Sequence, residues 1–306
     1  MISLSRLLKK MDKVVYSKHV FHYSSDLLSE REWVESFLKG NENALLLEDP
    51  KGYRALYLIN SKPAVLKCNR LQGWKRLVRR KLGIVPTGDY CLSNEFLNLS
   101  RLNGSGLVPK VYGFGYGRRS LARDEYLLIE FLSGMRTVDE IMVKTPGAGE
   151  WVASQVVDLF YRMLDSGFIH MDPHPSNIML GDQQENARFI DLECCAFDNS
   201  DPCFALAFSL GYFFHFWFSH FVDEQIYDEW VLGLVAKRKG FPLDERFLRI
   251  YQRFKTAKVS RKERFEALVN NKFRRRFEHG IVISGEIMQK LKETADGSMR
   301  AANQLG

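Results

Sequence analysis

Apolar and polar positions change their spacing near Ser133, and the two parts of the chain predict different structures. Before that point, short apolar runs are separated by turn residues. ALLLE at Ala44–Glu48 precedes the turn residues 49–52, RALYLI at Arg54–Ile59 comes next, and AVLK begins at Ala64. Short apolar runs divided by Gly, Pro, Asn and Asp predict a meander of β-hairpins.

Three further segments belong to this first part. Residues 91–102 place apolar side chains at helical spacing and end at Asn103-Gly104, which predicts a helix and its stop. Residues 108–114 and 126–131 have the apolar character of strands. We therefore expect residues 1–132 to form an N-terminal lobe of several strands and at least one helix.

The second part of the chain is mainly helical. Thr137 and Glu140 have the spacing of a capping box, and residues 151–164 carry a broad apolar face. Very short strands are expected at residues 168–169, 178–180 and 188–190. The expected fold class is α+β, a bilobal fold with a β-rich N-terminal lobe and a mainly helical C-terminal lobe at residues 133–306.

One apolar segment is long enough to consider as a membrane span. Residues 203–222 contain no Asp, Glu, Lys or Arg, and twenty residues can cross a bilayer. Acidic residues stand at both ends of the segment, however, and no basic stop sequence follows it. A helix buried in a large domain has the same composition. We expect the buried helix.

Composition and charge narrow the class of protein. With 306 residues, 45% hydrophobic and 26% charged, the chain is typical of a globular protein and not of a disordered, collagenous or coiled-coil one. Its net charge of +7 is concentrated in two basic windows, from Arg70 to Lys81 and from Arg253 to Arg276. Each window is either a solvated face or a contact for an anionic membrane surface. No RNA-stacking motif or zinc finger accompanies them, so a nucleic-acid partner is not expected.

The cysteines and the N-terminus bear on localisation. Five cysteines without a C-x-x-C pair disfavour a disulfide framework or a zinc site and fit a reducing compartment. The first fifteen residues lack the apolar core of a secretory signal. We expect a cytoplasmic protein, with membrane contact either peripheral or absent. No pattern in the chain indicates an oligomeric state.

The candidate chemistry lies in FIHMDPHPSNIMLGDQQENARFIDL, residues 168–192. Asp172 and Asn177 share a loop between two short strands, and Asp191 ends a third strand. In phosphoryl transfer one carboxylate receives the proton of the acceptor hydroxyl, and an amide and a second carboxylate hold Mg²⁺ against the phosphates. We therefore expect Asp172 to be the catalytic base and Asn177 and Asp191 to be metal ligands. The alternative for Asp172 is a turn residue without chemistry.

At these residues the chain resembles the protein-kinase-like fold. The resemblance implies that Lys67, at the end of AVLK, contacts the α- and β-phosphates of ATP and that Glu95 is its ion-pair partner. It also implies that YLLIEFL, residues 126–132, leads into the hinge, where Glu130 and Leu132 offer backbone groups to adenine.

Departures from the protein-kinase pattern narrow the acceptor. The first hairpin has only Gly52 in place of G-x-G-x-x-G, Met171 stands before Asp172, and Leu192-Glu193 follows Asp191. The next apolar helix follows closely and no Ala-Pro-Glu precedes it, which leaves little room for a platform that binds a peptide. A hydroxyl of a small molecule or a saccharide fits better.

Among such families, the chain resembles the bacterial lipopolysaccharide core sugar kinases (Kdo/WaaP type). The similarity rests on the basic segment RLQGWKRLVRRK after the lysine strand, the helix NEFLNL, the loop HMDPHPSNIML and the D-x-E at residues 191–193. It implies an ATP- and Mg²⁺-dependent kinase that phosphorylates a lipopolysaccharide core saccharide at the inner membrane. The alternatives are a kinase with another acceptor, small molecule or protein, and a pseudokinase scaffold that binds nucleotide without turnover.

Overall fold

A computed structural model describes residues 4–23, 44–48, 54–59, 64–71, 91–119, 122–181, 187–197, 200–238 and 241–304. The chain forms two compact units. The first runs to Ser133 and also includes Asp191–Glu193, and the second contains Gly134–Ile190 and resumes at Cys194. The glycine turn around Gly52, and the basic window beyond Leu71, lie outside the described residues.

The first unit is built on an antiparallel sheet with the strand order β1-β2-β6-β7-β5-β4-β3. Its strands are β1 (Asp12–Tyr16), β2 (His19–Tyr23), β3 (Ala44–Glu48), β4 (Arg54–Ile59), β5 (Ala64–Leu71), β6 (Val111–Arg119) and β7 (Ala122–Glu130). Its helices are α1 (Leu4–Leu8) and α2 (Leu92–Arg101). The expected meander over β3–β5 and the helix at residues 91–102 are therefore confirmed, while the β1–β2 hairpin was not predicted.

The alternation of side chains along β5 places its lysine. Leu66 packs with Leu128 in a buried cluster on one face of the sheet. Successive side chains of a strand point to opposite faces, so Lys67, opposite Leu127 in the register, lies on the other face. Helix α2 covers that face, and its Phe96 ring lies 5.1 Å from the Phe114 ring of β6. Lys67 is buried beneath this helix.

The second unit combines short strands with a helical body. Its strands are β8 (Arg136–Thr137), β9 (Phe168–His170), β10 (Ile178–Leu180), β11 (Ala187–Phe189) and β12 (Cys195–Phe197). Its helices are α3 (Val138–Lys144), α4 (Gly149–Asp165), α5 (Pro202–His215), α6 (Glu224–Ala236), α7 (Glu245–Thr256), α8 (Arg261–Val269), α9 (Asn271–His279) and α10 (Gly285–Gln304). The β8–β10–β11 and β9–β12 pairings hold the short strands together. This β-rich first region and helical second region confirm the expected fold class.

The apolar segment at residues 203–222 is an interior helix followed by a turn. Helix α5 is buried from Phe204 to Phe214, and it ends at His215, before a short 3₁₀-helix at Phe218–His220. Asp201 caps its start by accepting a hydrogen bond from the Phe204 N–H. Nowhere in the described ranges does a helix reach the length and apolar character that crossing a bilayer requires.

Candidate active site

The loop that follows β9 is held by His170. The Nδ1 atom of His170 accepts a hydrogen bond from the Asp172 N–H at 3.1 Å, and its Nε2 lies 3.1 Å from the Ile190 carbonyl oxygen. Accepting at Nδ1 leaves the ring proton on Nε2, where it donates to that carbonyl. The ring also stacks on Phe189 at a centroid distance of 5.3 Å. His170 thus connects the loop to the end of the next hairpin and fixes the backbone of Asp172.

The carboxylate of Asp172 is surrounded by donors. Its Oδ1 accepts hydrogen bonds from the Tyr212 hydroxyl of α5 and from Arg264 Nη2 at 3.3 Å. Its Oδ2 accepts a hydrogen bond from Arg261 Nη2 at 2.8 Å. Both arginines come from α8, and the Arg264 guanidinium lies 4.3 Å from the centre of the Tyr212 ring. Three side chains from distant parts of the chain therefore converge on this aspartate.

These donors control the ionisation of Asp172 and Tyr212. Burial acts to raise the pKa of Asp172, but the hydrogen bond from Tyr212 and the charges of Arg264 and Arg261 outweigh it and hold the pKa below its ordinary value. Burial and the Asp172 charge raise the pKa of Tyr212 well above its ordinary value. At neutral pH the aspartate is therefore ionised and the tyrosine keeps the proton that it donates.

Asn177 lies on the same loop and is oriented toward Asp172. It ends a 3₁₀ turn at Pro175–Asn177, and its Nδ2 donates to the Asp172 carbonyl oxygen at 3.1 Å. The amide nitrogen is thereby engaged, so the amide oxygen is the atom suited to a cation. The structure brings together the loop residues Asp172 and Asn177, as expected from their spacing, and the metal-binding role of Asn177 stays a prediction.

In the first unit, Lys67 connects two carboxylates that are distant in sequence. Its Nζ lies 2.7 Å from Glu95 Oε1 of α2 and 3.1 Å from Asp191 Oδ1. The side chains of Lys67 and Glu95 are only 7% and 1% exposed, so solvent screens this pair weakly. Lys67 and Glu95, which the resemblance connected, are thus in direct contact, and the contact of Lys67 with Asp191 was not predicted.

The segment Asp191–Glu193 is fixed to α2 and carries a strained backbone. Asn98 Nδ2 donates to the Leu192 carbonyl oxygen at 2.7 Å. Asp191 has a φ of 61°, in the left-handed region that few non-glycine residues occupy. Such conformations persist where the surroundings hold them and are concentrated at functional sites.

The carboxylate oxygens of this segment, together with one from α2, fit a divalent cation. Carboxylate oxygens of Glu95, Asp191 and Glu193 lie within 4.8 Å of one another. Mg²⁺ takes hard oxygen ligands and is commonly held by one or two carboxylates together with phosphates and water. The Asp191 carboxylate is 24% exposed, so it is more accessible than the Glu95 carboxylate. The metal-binding role of Asp191 stays a prediction.

The two residues expected at the hinge are at the end of β7 and just beyond it. The Glu130 N–H donates to the Lys110 carbonyl oxygen at 2.9 Å, and the Glu130 carboxylate accepts from the Lys110 N–H at 3.0 Å. Leu132 is buried. Because the Glu130 amide is engaged within the sheet, contact with adenine at Glu130 would use its carbonyl group. The adenine-binding role of both residues stays a prediction.

Sequence reasoning missed the donors around Asp172. Tyr212 sits in a helix whose composition indicates only a buried core, and Arg261 and Arg264 were part of a basic window. The spacing carried only part of the signal: residues three apart share a helix face, and a capping box of Ser260 and Glu263 marks the start of α8, but neither indicates which acid that face meets. Four of the ten basic residues in that window pair with acids of the second unit: Lys255, Arg261, Arg264 and Arg274.

Comparison with known proteins agrees with this geometry. The family model described as the ABC1 atypical kinase-like domain matches residues 98–205, a range that includes Asp172, Asn177 and Asp191. The chain is similar to kinase-like proteins. A kinase-like domain suggests kinase activity and implies the use of ATP. The match does not decide between this family and the lipopolysaccharide core sugar kinases. No curated protein matches the chain.

Solved structures provide further similarities. A structure of WbdD at 2.2 Å is 16% identical, with a TM-score of 0.45 over 82% of this chain and 50% of WbdD. WbdD with the kinase inhibitor LY294002 is 17% identical, with a TM-score of 0.44 over 83% and 52% of the two chains. A third structure, of WbdD described as a bifunctional kinase-methyltransferase, is 14% identical, with a TM-score of 0.42 over 92% and 53%. The chain spans about half the length of these proteins.

Proposed function

We propose that this protein is a Mg²⁺-dependent kinase that transfers the γ-phosphoryl group of ATP to a hydroxyl of a lipopolysaccharide inner-core sugar. The observation that carries the proposal is the contact of buried Lys67 with both Glu95 and Asp191. An ammonium group held by two carboxylates under a helix is costly to bury. Because both carboxylates also belong to the Glu95, Asp191 and Glu193 cluster that fits a divalent cation, this arrangement favours a task at the phosphates of a nucleotide.

The first unit supplies the nucleotide contacts in this proposal. Lys67, oriented by Glu95, binds the α- and β-phosphates, while Glu130 and Leu132 contact adenine through the backbone. Asp191 is the carboxylate that would hold the metal, and the amide oxygen of Asn177 is the other protein ligand in the proposal. When bound, Mg²⁺ would neutralise charge on the β- and γ-phosphates.

The second unit supplies the group that activates the acceptor. The ionised Asp172 accepts the hydroxyl proton as the acceptor oxygen bonds to the γ-phosphorus, and the bond from that phosphorus to the β,γ-bridging oxygen breaks to release ADP. The low pKa of Asp172 keeps the carboxylate deprotonated at neutral pH. Its main task is therefore to orient the hydroxyl and to take the proton late in the transfer.

Two features favour a saccharide at a membrane surface over a protein acceptor. Only ten residues separate Asp191 from Pro202, the first residue of α5, which is short for a peptide-binding platform. The C-terminal basic window still presents exposed cations at Lys258, Lys262, Lys272, Arg275 and Arg276. Basic side chains near an anionic membrane contribute about 1 kcal/mol each. We propose peripheral contact with the cytoplasmic face of the inner membrane.

The test uses the purified chain with Mg²⁺, γ-labelled ATP and a bacterial envelope extract, and it follows which fraction takes up the label. We expect label in lipopolysaccharide, and loss of at least about a hundredfold in Asp172→Ala, since this is the range for a positioned general base. Label that depends on Asp172 but enters another fraction would identify another acceptor. ATP binding without consumption would identify a pseudokinase and reject the proposal.

A further inference from the structure

The two oxygens of the Asp172 carboxylate have different surroundings. Oδ1 accepts two hydrogen bonds, from Tyr212 and from Arg264, and Oδ2 accepts one, from Arg261. A carboxylate oxygen has two lone pairs that can accept hydrogen bonds. Counted over the described part of the chain, Oδ1 is therefore saturated, whereas Oδ2 keeps one acceptor position.

The donors on the two oxygens also differ in burial. The Arg264 side chain is 6% exposed and is packed over the Tyr212 ring, and Tyr212 is itself buried in α5. The Arg261 side chain is 21% exposed and sits at the first residue of α8. A packed donor keeps its place during a reaction, while a more exposed one at a helix start can exchange partners. Oδ2 is thus the more accessible side of the carboxylate.

We propose that Tyr212 and Arg264 are positioning residues that hold Oδ1 of Asp172, and that Oδ2 receives the acceptor hydroxyl with Arg261 beside it as a specificity-determining residue. This inference rests on the proposed kinase function, because it assigns Asp172 an acceptor. It assigns different roles to two arginines that bind the same carboxylate and lie three residues apart. Arg264 positions the catalytic base, and Arg261 contacts the acceptor.

The position of Arg261 also indicates the chemical class of the acceptor. A guanidinium group offers paired N–H donors whose geometry matches carboxylate and phosphate oxygens. An acceptor with such an oxyanion near its reactive hydroxyl would share Arg261 with Oδ2. A neutral sugar has no such oxyanion, so Arg261 would pair with Oδ2 alone and would not contribute to the choice of acceptor. We therefore infer that the acceptor hydroxyl is adjacent to a carboxylate or a phosphate.

The test compares kcat and KM for Tyr212→Phe, Arg264→Lys and Arg261→Gln with a lipopolysaccharide core oligosaccharide as the probe. Loss of a hydrogen bond to a charged group corresponds to a rate loss of roughly tenfold to a hundredfold. We expect Tyr212→Phe and Arg264→Lys to lower kcat by this factor with little change in acceptor KM. We expect Arg261→Gln mainly to raise the KM for the acceptor, while the KM for ATP stays constant.

The same oligosaccharide after dephosphorylation, and after reduction of its carboxylates, identifies the oxyanion. The wild type should phosphorylate one of the two treated probes less efficiently than the untreated probe. Arg261→Gln should phosphorylate that treated probe and the untreated one equally well. Tyr161→Phe and Arg238→Ala serve as matched controls. They lie in the same unit, where the Arg238 guanidinium stands 4.2 Å from the Tyr161 ring and pairs with Asp158.

The outcomes separate this inference from the proposed function. Equal effects of all three substitutions on kcat and KM would overturn it, even if the protein is an active kinase. If the oligosaccharide takes no label, the assay follows the slow hydrolysis of ATP instead, in which water accepts the phosphoryl group. Tyr212→Phe must then slow the formation of ADP more than Arg261→Gln does. Absence of any ATP turnover in the wild type would reject the kinase proposal and this inference with it. Thermal melting identifies variants that have merely unfolded.

Discussion

The two units present charge-inverted versions of one device. In the first unit a buried cation, Lys67, is held by two carboxylates, Glu95 and Asp191. In the second unit a largely buried anion, Asp172, is held by two guanidinium groups and a tyrosine hydroxyl. Each arrangement compensates a desolvated charge with partners of opposite sign, as burial of an ion requires.

The difference between them lies in how the partners are supplied. Lys67 and its partners come from a strand, the helix that covers it and a short segment bound to that helix. The partners of Asp172 come from α5 and α8, which are separated from it by 40 to 92 residues. The first device therefore depends on local cover of one sheet face, and the second depends on the packing of the whole helical body.

The largest expected effect comes from removing the cation of the first device. In Lys67→Met, Glu95 and Asp191 lose their shared cation, and Glu95 is almost completely buried. Breaking one side of a buried ion pair typically costs about 3–5 kcal/mol. We expect the free energy of unfolding, measured with urea, to fall by about that amount. ATP turnover should fall by at least about a hundredfold under conditions where the variant is folded.

A buried lysine of the second unit provides the matched control. Lys255 Nζ lies 2.7 Å from Asp228 Oδ2 and 2.8 Å from Glu224 Oε1. Its side chain is 1% exposed, so Lys255→Met should also lose stability. Lys255 has no part in the proposed chemistry, and its folded variant should keep turnover. If both variants lost activity alike, Lys67 would be a structural residue and the comparison would fail.

The first device was predictable in part because strands and turns carry local signals. The meander over β3–β5 follows from apolar runs between Pro, Gly, Asn and Asp. The β1–β2 hairpin escaped prediction because its turn is Ser17-Lys18, without the Asn-Gly or Asp-Gly pair typical of two-residue turns. Ser17 nevertheless adopts the positive φ of 53° that such turns need.

The second device could be predicted only at its centre. The spacing of Asp172, Asn177 and Asp191 indicates phosphoryl transfer because those residues share one loop and one hairpin. The donors to Asp172 are set by how α5 and α8 pack, and no local pattern encodes that contact. Helix α5 is apolar on all sides, so its composition predicts burial and gives no direction to Tyr212.

A smaller effect tests the dependence of the second device on helix packing. Gly211 of α5 precedes Tyr212, and a Cβ at this position would clash with the Tyr251 carbonyl oxygen and lie 2.9 Å from the Lys255 N of α7. Backbone cannot yield as a side chain can, so Gly211→Ala should separate the helices. We expect a loss of about 1–3 kcal/mol in unfolding free energy and a lower kcat through displaced Tyr212.

The control for that substitution is Gly233→Ala in α6. Its nearest neighbour to an added Cβ is Ser298 Oγ at 3.6 Å, an ordinary contact. Alanine is the better helix former, so this variant should be as stable as the wild type or more stable by about 0.5–1 kcal/mol. The melting temperatures of Gly211→Ala and Gly233→Ala, measured by calorimetry, test this difference in stability. Equal melting temperatures would show that α5 and α7 tolerate separation and that Tyr212 is placed by other contacts.

The smallest effect concerns a second arginine-held carboxylate that does no chemistry. Asp201 caps α5 and pairs with Arg246 and with Arg274 Nε at 3.3 Å. Burial acts to raise the pKa of Asp201, and the hydrogen bond and charge of Arg246 outweigh it and lower the pKa. Since the folded-state pKa is below the unfolded value of about 3.9, ionised Asp201 stabilises the fold above that pH.

That stabilisation should disappear as the pH falls below about 4 and toward the folded-state pKa. Asp201→Asn should therefore lose on the order of 1 kcal/mol at pH 7, since the pair is partly exposed, and the difference from the wild type should shrink at pH 3. Urea unfolding at both pH values measures it. Turnover at pH 7 should persist in the folded variant, whereas Asp172→Asn should abolish it. If Asp201→Asn lost turnover as completely, holding a carboxylate with arginines would be a structural motif of this unit and not a mark of the catalytic base.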